Sequence, residues 1–278
     1  MITFEKFKNN FATFEDKPLA RGGQKIVYKA CDRTKRNVVV KLLLKVDKRS
    51  IREIEIVQNN SFTHVPKIYE TTKIDYEGTE TLAIIEEYIE GKNLRDIINS
   101  GKRFNLYEAS DFLEKSLKFL IEIWQKKIVH RDIKPENIIM CSDNPFFLDF
   151  GIARVLDEES LTRTGGFGPN TPGYAAPEQF SGQKSKIDCR ADLFSIGVVT
   201  YELLTGINPF RQDAQSVYQI YNNTKTITPV SFQIMGDSQS QFMGLISSLM
   251  NKSITARPKT PAQAYDWLKT ARKTFEEK

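Results

Sequence analysis

The rhythm of hydrophobic and polar positions changes along the chain. Two short β-branched runs, Ile26-Val27-Tyr28 and Val38-Val39-Val40, flank the polar stretch Asp32-Arg33-Thr34-Lys35-Arg36-Asn37, which predicts two strands joined by a turn. From Lys48 to Gln58 the period lengthens. Ile51, Ile54 and Val57 recur at every third position, as on one face of a helix. Leu82 to Ile85 predicts a buried strand that runs into Glu87-Tyr88-Ile89-Glu90-Gly91. Beyond Gly91 the pattern is mostly helical. Asn105-Leu106-Tyr107-Glu108 has the form of a capping box, and Leu113, Leu117, Leu120, Ile121 and Trp124 then line one face of a long helix. Asp143-Asn144-Pro145 predicts a tight turn between short strands at Ile138–Met140 and Phe146–Leu148. Asp192 to Leu204 reads as a strongly apolar helix ended by Thr205-Gly206, and Ser238 to Lys269 as helical with a break at Pro258 and Pro261. The chain shows no internal repeat and no low-complexity linker. The boundary between its strand-rich and helical parts falls at Glu87 to Lys92.

Composition narrows the class. A chain of 278 residues that is 40% hydrophobic can bury a large core. The net charge of +5 is a small difference between 40 basic and 35 acidic residues, so a mixed solvated surface is expected and a nucleic-acid partner is not. Cys31, Cys141 and Cys189 are odd in number, far apart and without Cys-x-x-Cys spacing, which suits free thiols in a reducing compartment. Those cysteines and two histidines, His64 and His130, do not support a zinc site. Met1 to Phe14 alternates Phe with Lys, Asn and Glu and lacks the apolar stretch of a signal peptide. Leu193 to Leu204, interrupted by Ser195, Thr200 and Glu202, is too short and polar to span a bilayer. The expectation is a cytoplasmic protein with no membrane segment.

The candidate chemistry lies in His130-Arg131-Asp132-Ile133-Lys134-Pro135-Glu136-Asn137, followed after Phe146 to Leu148 by Asp149-Phe150-Gly151. Asp132 can accept a proton from an attacking hydroxyl. Lys134 can neutralise charge on a phosphoryl group, and Asn137 and Asp149 offer hard oxygen ligands for Mg²⁺. The order continues with Ala176-Pro177-Glu178 and Asp192. From about Leu19 to about Arg257 the chain resembles the eukaryotic-type Ser/Thr protein kinase family, and its stand-alone size and Lys/Ile/Asn-rich composition suggest a bacterial member. The resemblance implies a single kinase domain of α+β class with two lobes. A small, mainly antiparallel β N-lobe with one key helix would span 1–86, a hinge 87–92, and a larger, mainly helical C-lobe 93–278. It implies ATP- and Mg²⁺-dependent phosphoryl transfer to Ser/Thr hydroxyls of protein substrates, its own activation loop included, with self-association for that autophosphorylation. Lys134 two positions after Asp132, together with Thr171, resembles Ser/Thr rather than Tyr kinases. Two other readings stay open, a pseudokinase that only binds nucleotide and a small-molecule kinase on a related fold. Lys41, Asp132, Asn137 and Asp149 weigh against the first, and Ala176-Pro177-Glu178 with Thr171 against the second.

The resemblance also assigns residues. In the frame set by Val27-Tyr28-Lys29-Ala30, Ala20 and Lys25 replace the first and third glycines of the family's glycine-rich loop. Gly22 keeps the second and Gly23 adds flexibility beside it. Glycine lets backbone approach phosphate oxygens with no Cβ in the way. Lys41 ends Val38-Val39-Val40-Lys41, the equivalent of the family's Val-Ala-Ile-Lys, and a lysine ending a buried strand needs a partner. The spacing Glu53-x-x-Ile56-Val57 favours Glu53, with Glu55 as the competitor. Lys41 would hold the α/β-phosphates and Glu53 would fix Lys41. Val27 and Val39 would roof the adenine with Ile139 as its floor, and the backbone of Glu87-Tyr88-Ile89 would hydrogen-bond it. Asn93 either meets the ribose or caps the helix starting at Leu94. His130 is structural. Arg131 would pair with a phosphate on Thr164, or second on Thr162, although Thr162 to Gly166 reads equally well as a plain polar loop. Thr171 would hydrogen-bond Asp132 and Lys134, Glu178 would pair with Arg257, and Asp192 would hold the catalytic-loop backbone from below. Glu86 falls at the gatekeeper position, where an apolar residue is usual. It either shares Lys41 with Glu53 or reaches water or a polar backbone group.

Overall fold

Alternation builds the first sheet. Its strands are β1 (Ile2–Thr3), β2 (Thr13–Phe14), β3 (Ala20–Arg21), β4 (Lys25–Cys31), β5 (Asn37–Leu43), β6 (Ile68–Tyr76) and β7 (Thr79–Glu87), with helix α1 (Phe4–Lys8) between the first two. The computed structural model describes residues 1–22, 25–44, 54–55, 57–149, 171–180 and 187–276. These divide into two units, one of Met1–Glu90 with Asp149, the other of Gly91–Leu148 with the described residues from Thr171 onward.

In the first unit the strand order is β1-β6-β7-β5-β4-β2, with β3 also on β4. All pairs are antiparallel except β1 with β6. Successive side chains of a strand point to opposite faces. Ile26, Tyr28, Ala30, Val38, Val40 and Leu42 therefore share one face, where they form a buried core with Ile74, Tyr76, Ala83, Ile85 and Phe7. The register Val27↔Lys41, Lys25↔Leu43 and Val39↔Glu86 puts Lys25, Val27, Val39, Lys41 and Glu86 on the other face. The expected helix from Lys48 to Gln58 lies mostly outside the described residues. Ile54, Glu55, Val57 and Gln58 are helical, and Ile54 packs on Leu43 and Ile84.

The N-terminal segment has a role that its pattern did not reveal. β1 pairs along one edge of the sheet and β2 along the other, so one strap of fourteen residues crosses the outer face and reaches both edges. Phe4 lies 5.4 Å from Tyr28 and 5.1 Å from Tyr76, ring centre to ring centre, and Phe14 lies 5.2 Å from Tyr28. Covering an edge strand protects its free N–H and C=O groups from stray pairing.

The second unit contains β8 (Lys92–Asn93), α2 (Leu94–Asn99), α3 (Leu106–Gln125), β9 (Ile138–Cys141), β10 (Asn144–Phe147), α4 (Cys189–Thr205), α5 (Val217–Thr226), α6 (Gln241–Leu249) and α7 (Pro261–Arg272). Asn105 opens α3 with the expected capping box: its side chain accepts from Tyr107 and Glu108 N–H, and Glu108 accepts from Asn105 N–H at 3.0 Å. The buried arc of α3 is wider than the expected seam, because the helix packs on α4, α7 and β10. Phe112, Ser116, Phe119 and Ile123 join it, while Ile121 and Trp124 are only half-buried. The hairpin turn sits at Ser142-Asp143, not at Asp143-Asn144-Pro145. Ser142 takes φ 54°, and Pro145 is already in β10, an edge strand where a missing N–H is tolerated. Helix α4 starts on the side chain of Asp188 and ends at Gly206 with φ 77°, where a Cβ would collide with the Arg103 guanidinium. Gly91 is required by close approach, since a Cβ would lie 2.7 Å from Ile139 Cγ2. Among the described residues, no helix is long and apolar enough to cross a membrane.

Phe7, 2% exposed, anchors the strap in the core of the first unit. Phe7→Ala is expected to cost about 3–5 kcal/mol, the scale for emptying a buried aromatic site. Urea unfolding followed by circular dichroism measures it, and an unchanged midpoint would show that the strap adds nothing to stability.

Candidate active site

The catalytic-loop half is built from beneath. Asp192, fully buried on α4, accepts from His130 N–H at 2.8 Å and from Arg131 N–H at 2.7 Å. Burial pushes its pKa up, against the pull of His130 and of those two N–H groups. The same bonds hold Arg131 at φ 68°, a left-handed conformation that a non-glycine residue keeps only when its surroundings enforce it. His130 Nδ1 accepts from Asp132 N–H at 3.3 Å and its Nε2 lies 3.2 Å from Leu148 O, so the ring is a structural brace.

Above that brace four side chains meet. Asp132 Oδ2 accepts from Asn137 Nδ2 at 2.7 Å and lies 2.8 Å from Lys134 Nζ. Asp132 Oδ1 accepts from the Thr171 hydroxyl at 2.8 Å, and that hydroxyl accepts from Lys134 Nζ at 2.7 Å. A hydroxyl here therefore donates to a carboxylate while an ammonium polarises its oxygen. The expected support is present too: Arg257 donates to both Glu178 oxygens, at 2.6 and 2.9 Å, with its side chain fully buried.

In the first unit, Lys41 meets two anions among the described residues. Its Nζ lies 2.6 Å from Glu86 Oε1 and 3.0 Å from Asp149 Oδ1. Lys25, which stands where the family has a glycine, pairs with the second oxygen of Asp149. Burial alone disfavours the Lys41 ammonium, but Asp149 and Glu86 more than offset it and hold its pKa above the ordinary lysine value. Burial would likewise raise the Asp149 pKa, but Lys41 and Lys25 hold it below the usual carboxylate range. For Glu86 burial wins, and its pKa is pushed up despite Lys41. The gatekeeper carboxylate is paired with Lys41; Glu53, with which it was expected to share that lysine, lies outside the described residues.

Val27 and Val39 lie on the same face as Lys41. Ile139 is half-buried on β9, opposite Asn93 in register. Asn93 caps α2: its Oδ1 accepts from Arg95 N–H at 2.9 Å and its Nδ2 donates to Glu136 O at 2.8 Å. Glu87 N–H donates to Lys67 O at 2.8 Å, and Ile89 is buried. A Cβ on Gly22 would meet only Lys25 O, at 3.9 Å. Packing among the described residues does not require glycine there. Glu55, the competitor for Lys41, is exposed. Glu53, Gly23, Thr162 and Thr164 lie outside the described residues.

Two groups escaped the sequence reading. Gln179 ties the catalytic loop to the segment after Thr171, donating to Arg131 O and accepting from Ala176 N–H, both at 2.9 Å. Arg95 donates to Glu136 at 2.9 Å, to Glu202 at 2.8 Å and to the Tyr174 hydroxyl, which in turn donates to Glu202. The second had a signal: Glu202 is a lone carboxylate in the apolar run of α4, and such a group must find a partner. Gln179 had none, because a side chain that bonds distant backbone leaves no periodicity.

The model of the protein kinase domain matches residues 15–268. The chain belongs to the protein kinase family. Its relatives include a probable serine/threonine-protein kinase PknB of Bifidobacterium longum, 34% identical over 233 residues, which cover 78% of this chain and 34% of that protein. A serine/threonine-protein kinase PknB of Mycobacterium leprae is 34% identical over 206 residues, 70% of this chain and 33% of that one. A probable serine/threonine-protein kinase PknB of Corynebacterium glutamicum is 28% identical over 261 residues, 90% and 39% respectively. The chain thus spans about a third of the length of these curated relatives. Its sheet-rich first unit and helical second unit fit the two-lobed kinase fold, a bacterial type by these similarities.

Glu86 lies at bonding distance from Lys41, where it is proposed to compete with Glu53. Glu86→Met is expected to raise basal phosphoryl transfer and leave ATP affinity unchanged, because the lysine is freed for its other partners. Steady-state kinetics on the purified variant decide it. Equal or lower basal transfer excludes the competition.

Proposed function

We propose that this chain is an active, Mg²⁺- and ATP-dependent protein kinase that phosphorylates Ser/Thr hydroxyls. The carrying observation is the Thr171 hydroxyl held between the Asp132 carboxylate and the Lys134 ammonium, with Asn137 fixing Asp132. In this reading an acceptor hydroxyl gives its proton to Asp132 as its oxygen bonds the γ-phosphorus and the bond to ADP breaks. Lys134 stabilises the negative charge of the phosphoryl group in transit. Positioning and electrostatics carry the catalysis.

The residues suit the nucleotide and the metal. Asp149 is kept anionic by its two ammonium neighbours, and Asn137 and Asp149 would each offer Mg²⁺ a hard oxygen donor. The metal, when bound, neutralises phosphate charge. Lys41 would hold the α/β-phosphates with Glu53 as its partner, Gly22 and Gly23 would let backbone approach them, and Val27, Val39 and Ile139 would enclose the adenine. Glu87 and Ile89 would supply hinge backbone. Asn93 would serve the ribose only if its capping bonds yield. The lobes are proposed as 1–86 and 93–278 with 87–92 as hinge. Substrates would be proteins, including a second copy of this chain for autophosphorylation, and no nucleic acid. Three free thiols, Cys31, Cys141 and Cys189, suit a cytoplasmic setting.

Asp132→Asn and Asp149→Asn are each expected to lower transfer from γ-labelled ATP by about 10²-fold or more, the scale of one positioned acid–base or electrostatic group. Circular dichroism should stay unchanged, and near-normal transfer by either variant refutes the mechanism.

Thr164, and second Thr162, are the proposed activating phosphosites, with Arg131 as the residue that reads the phosphate. The double change Thr162→Ala, Thr164→Ala should slow substrate phosphorylation and leave ATP binding intact. Mass spectrometry that finds no phosphate at either site, with a double variant as fast as the parent, rules the sites out.

A further inference from the structure

We propose that Asn208 and Arg211 are positioning residues that set Thr171 against Asp132, an inference that rests on the kinase reading above. Both lie on the turn after α4. Asn208 is buried, and its Oδ1 accepts from Phe210 N–H at 3.0 Å and Arg211 N–H at 3.1 Å, which closes the turn. Its Nδ2 is then directed outward and donates to Gly173 O at 3.1 Å. Arg211 Nε donates to Pro172 O at 2.9 Å, and its guanidinium lies 4.8 Å over the Tyr174 ring. Two consecutive carbonyls are thus gripped by two side chains from one turn.

The grip is tight. Gly173 takes φ 88°, and a Cβ there would lie 2.9 Å from Arg211 Cγ and 3.2 Å from Asn208 Oδ1. Glycine is needed both for the backbone angle and for the approach. The turn itself is anchored, because fully buried Phe210 stacks on Phe194 of α4 at 5.7 Å. The gripped dipeptide follows Thr171 directly, and Tyr174 N–H returns to Thr171 O at 3.2 Å. A fixed path therefore runs from the core helix through Phe210 and the clamp to the hydroxyl that joins Asp132 and Lys134. Releasing either carbonyl lets Thr171 shift, and a shift of about 1 Å is enough to spoil a reacting geometry.

Asn208 has two separable duties, which makes the inference testable. Asn208→Asp keeps an acceptor for Phe210 and Arg211 N–H but loses the donor to Gly173 O. Arg211→Met keeps an apolar stem beside Tyr174 but loses the donor to Pro172 O. Each variant is expected to lower kcat about 10-fold, and the pair about 10²-fold, with KM for ATP unchanged, since neither residue has a role toward the nucleotide. Amide hydrogen exchange at Tyr174 and Ala175, whose N–H groups donate to Thr171 O, should quicken in both variants, while the melting temperature barely moves. If the parent protein transfers phosphate and Asn208→Asp does so with the same kcat, the clamp is wrong and the kinase reading stands. If the parent transfers none, the kinase reading fails. Exchange then judges the clamp alone: faster exchange in the variants supports it, and identical exchange overturns it.

Discussion

A carboxylate cut off from water must find donors, and Asp192 finds them in the backbone of His130 and Arg131. The catalytic-loop half depends on this one group. A left-handed non-glycine residue costs about 1–2 kcal/mol, whereas each hydrogen bond to a charged group contributes about 1.5–3 kcal/mol. Two such bonds outweigh the strain at Arg131, so the chain reverses there and delivers Asp132 next to Asn137, Lys134 and Thr171. Gln179 and the His130 ring then secure the same reversal from the sides.

The first unit solves its own burial problem by alternation of charge. Lys25, Asp149, Lys41 and Glu86 form a row of cation, anion, cation, anion, each beside its opposite. Buried pairs of this kind contribute little net stability, because desolvation consumes most of the attraction. Their value lies in what they keep ionised. Asp149 remains an anion in a dry setting because two ammonium groups flank it, and the unusual carboxylate at position 86 is tolerated because it completes the row. The glycine loop's departure at Lys25 belongs to the same arrangement, so Lys25 and Glu86, two of the departures from the family pattern, are parts of one feature.

Much of this was legible in the sequence, for identifiable reasons. β4, β5 and β7 announce themselves as short apolar, β-branched runs, α4 as a longer apolar stretch and α3 by its period, and the cap at Asn105 and the stop at Gly206 are local chemistry. The catalytic-loop residues are contiguous, so their order carried their meaning, and the contacts of Thr171, Asp192 and Glu178 followed from the family frame. What stayed hidden depends on partners far away in sequence. β1 and β2 have two residues each and exist through pairing, not propensity. Gln179, Asn208 and Arg211 bond backbone groups that no pattern marks. The width of the buried arc on α3 reflects how many elements pack on it, which a single helix cannot report.

The N-terminal strap has a consequence for the order of folding. The hairpins β4–β5 and β6–β7 join neighbours in sequence and close short loops. The pairing of Ile2 with Ile74 spans most of the first unit and closes a long one. Because β1 needs β6 and β2 needs β4, the strap can dock fully only after both hairpins lie side by side. Until then both margins of the sheet are open templates for another chain. The period of vulnerability to mispairing is set by how fast one short aromatic segment folds back across a nearly finished sheet.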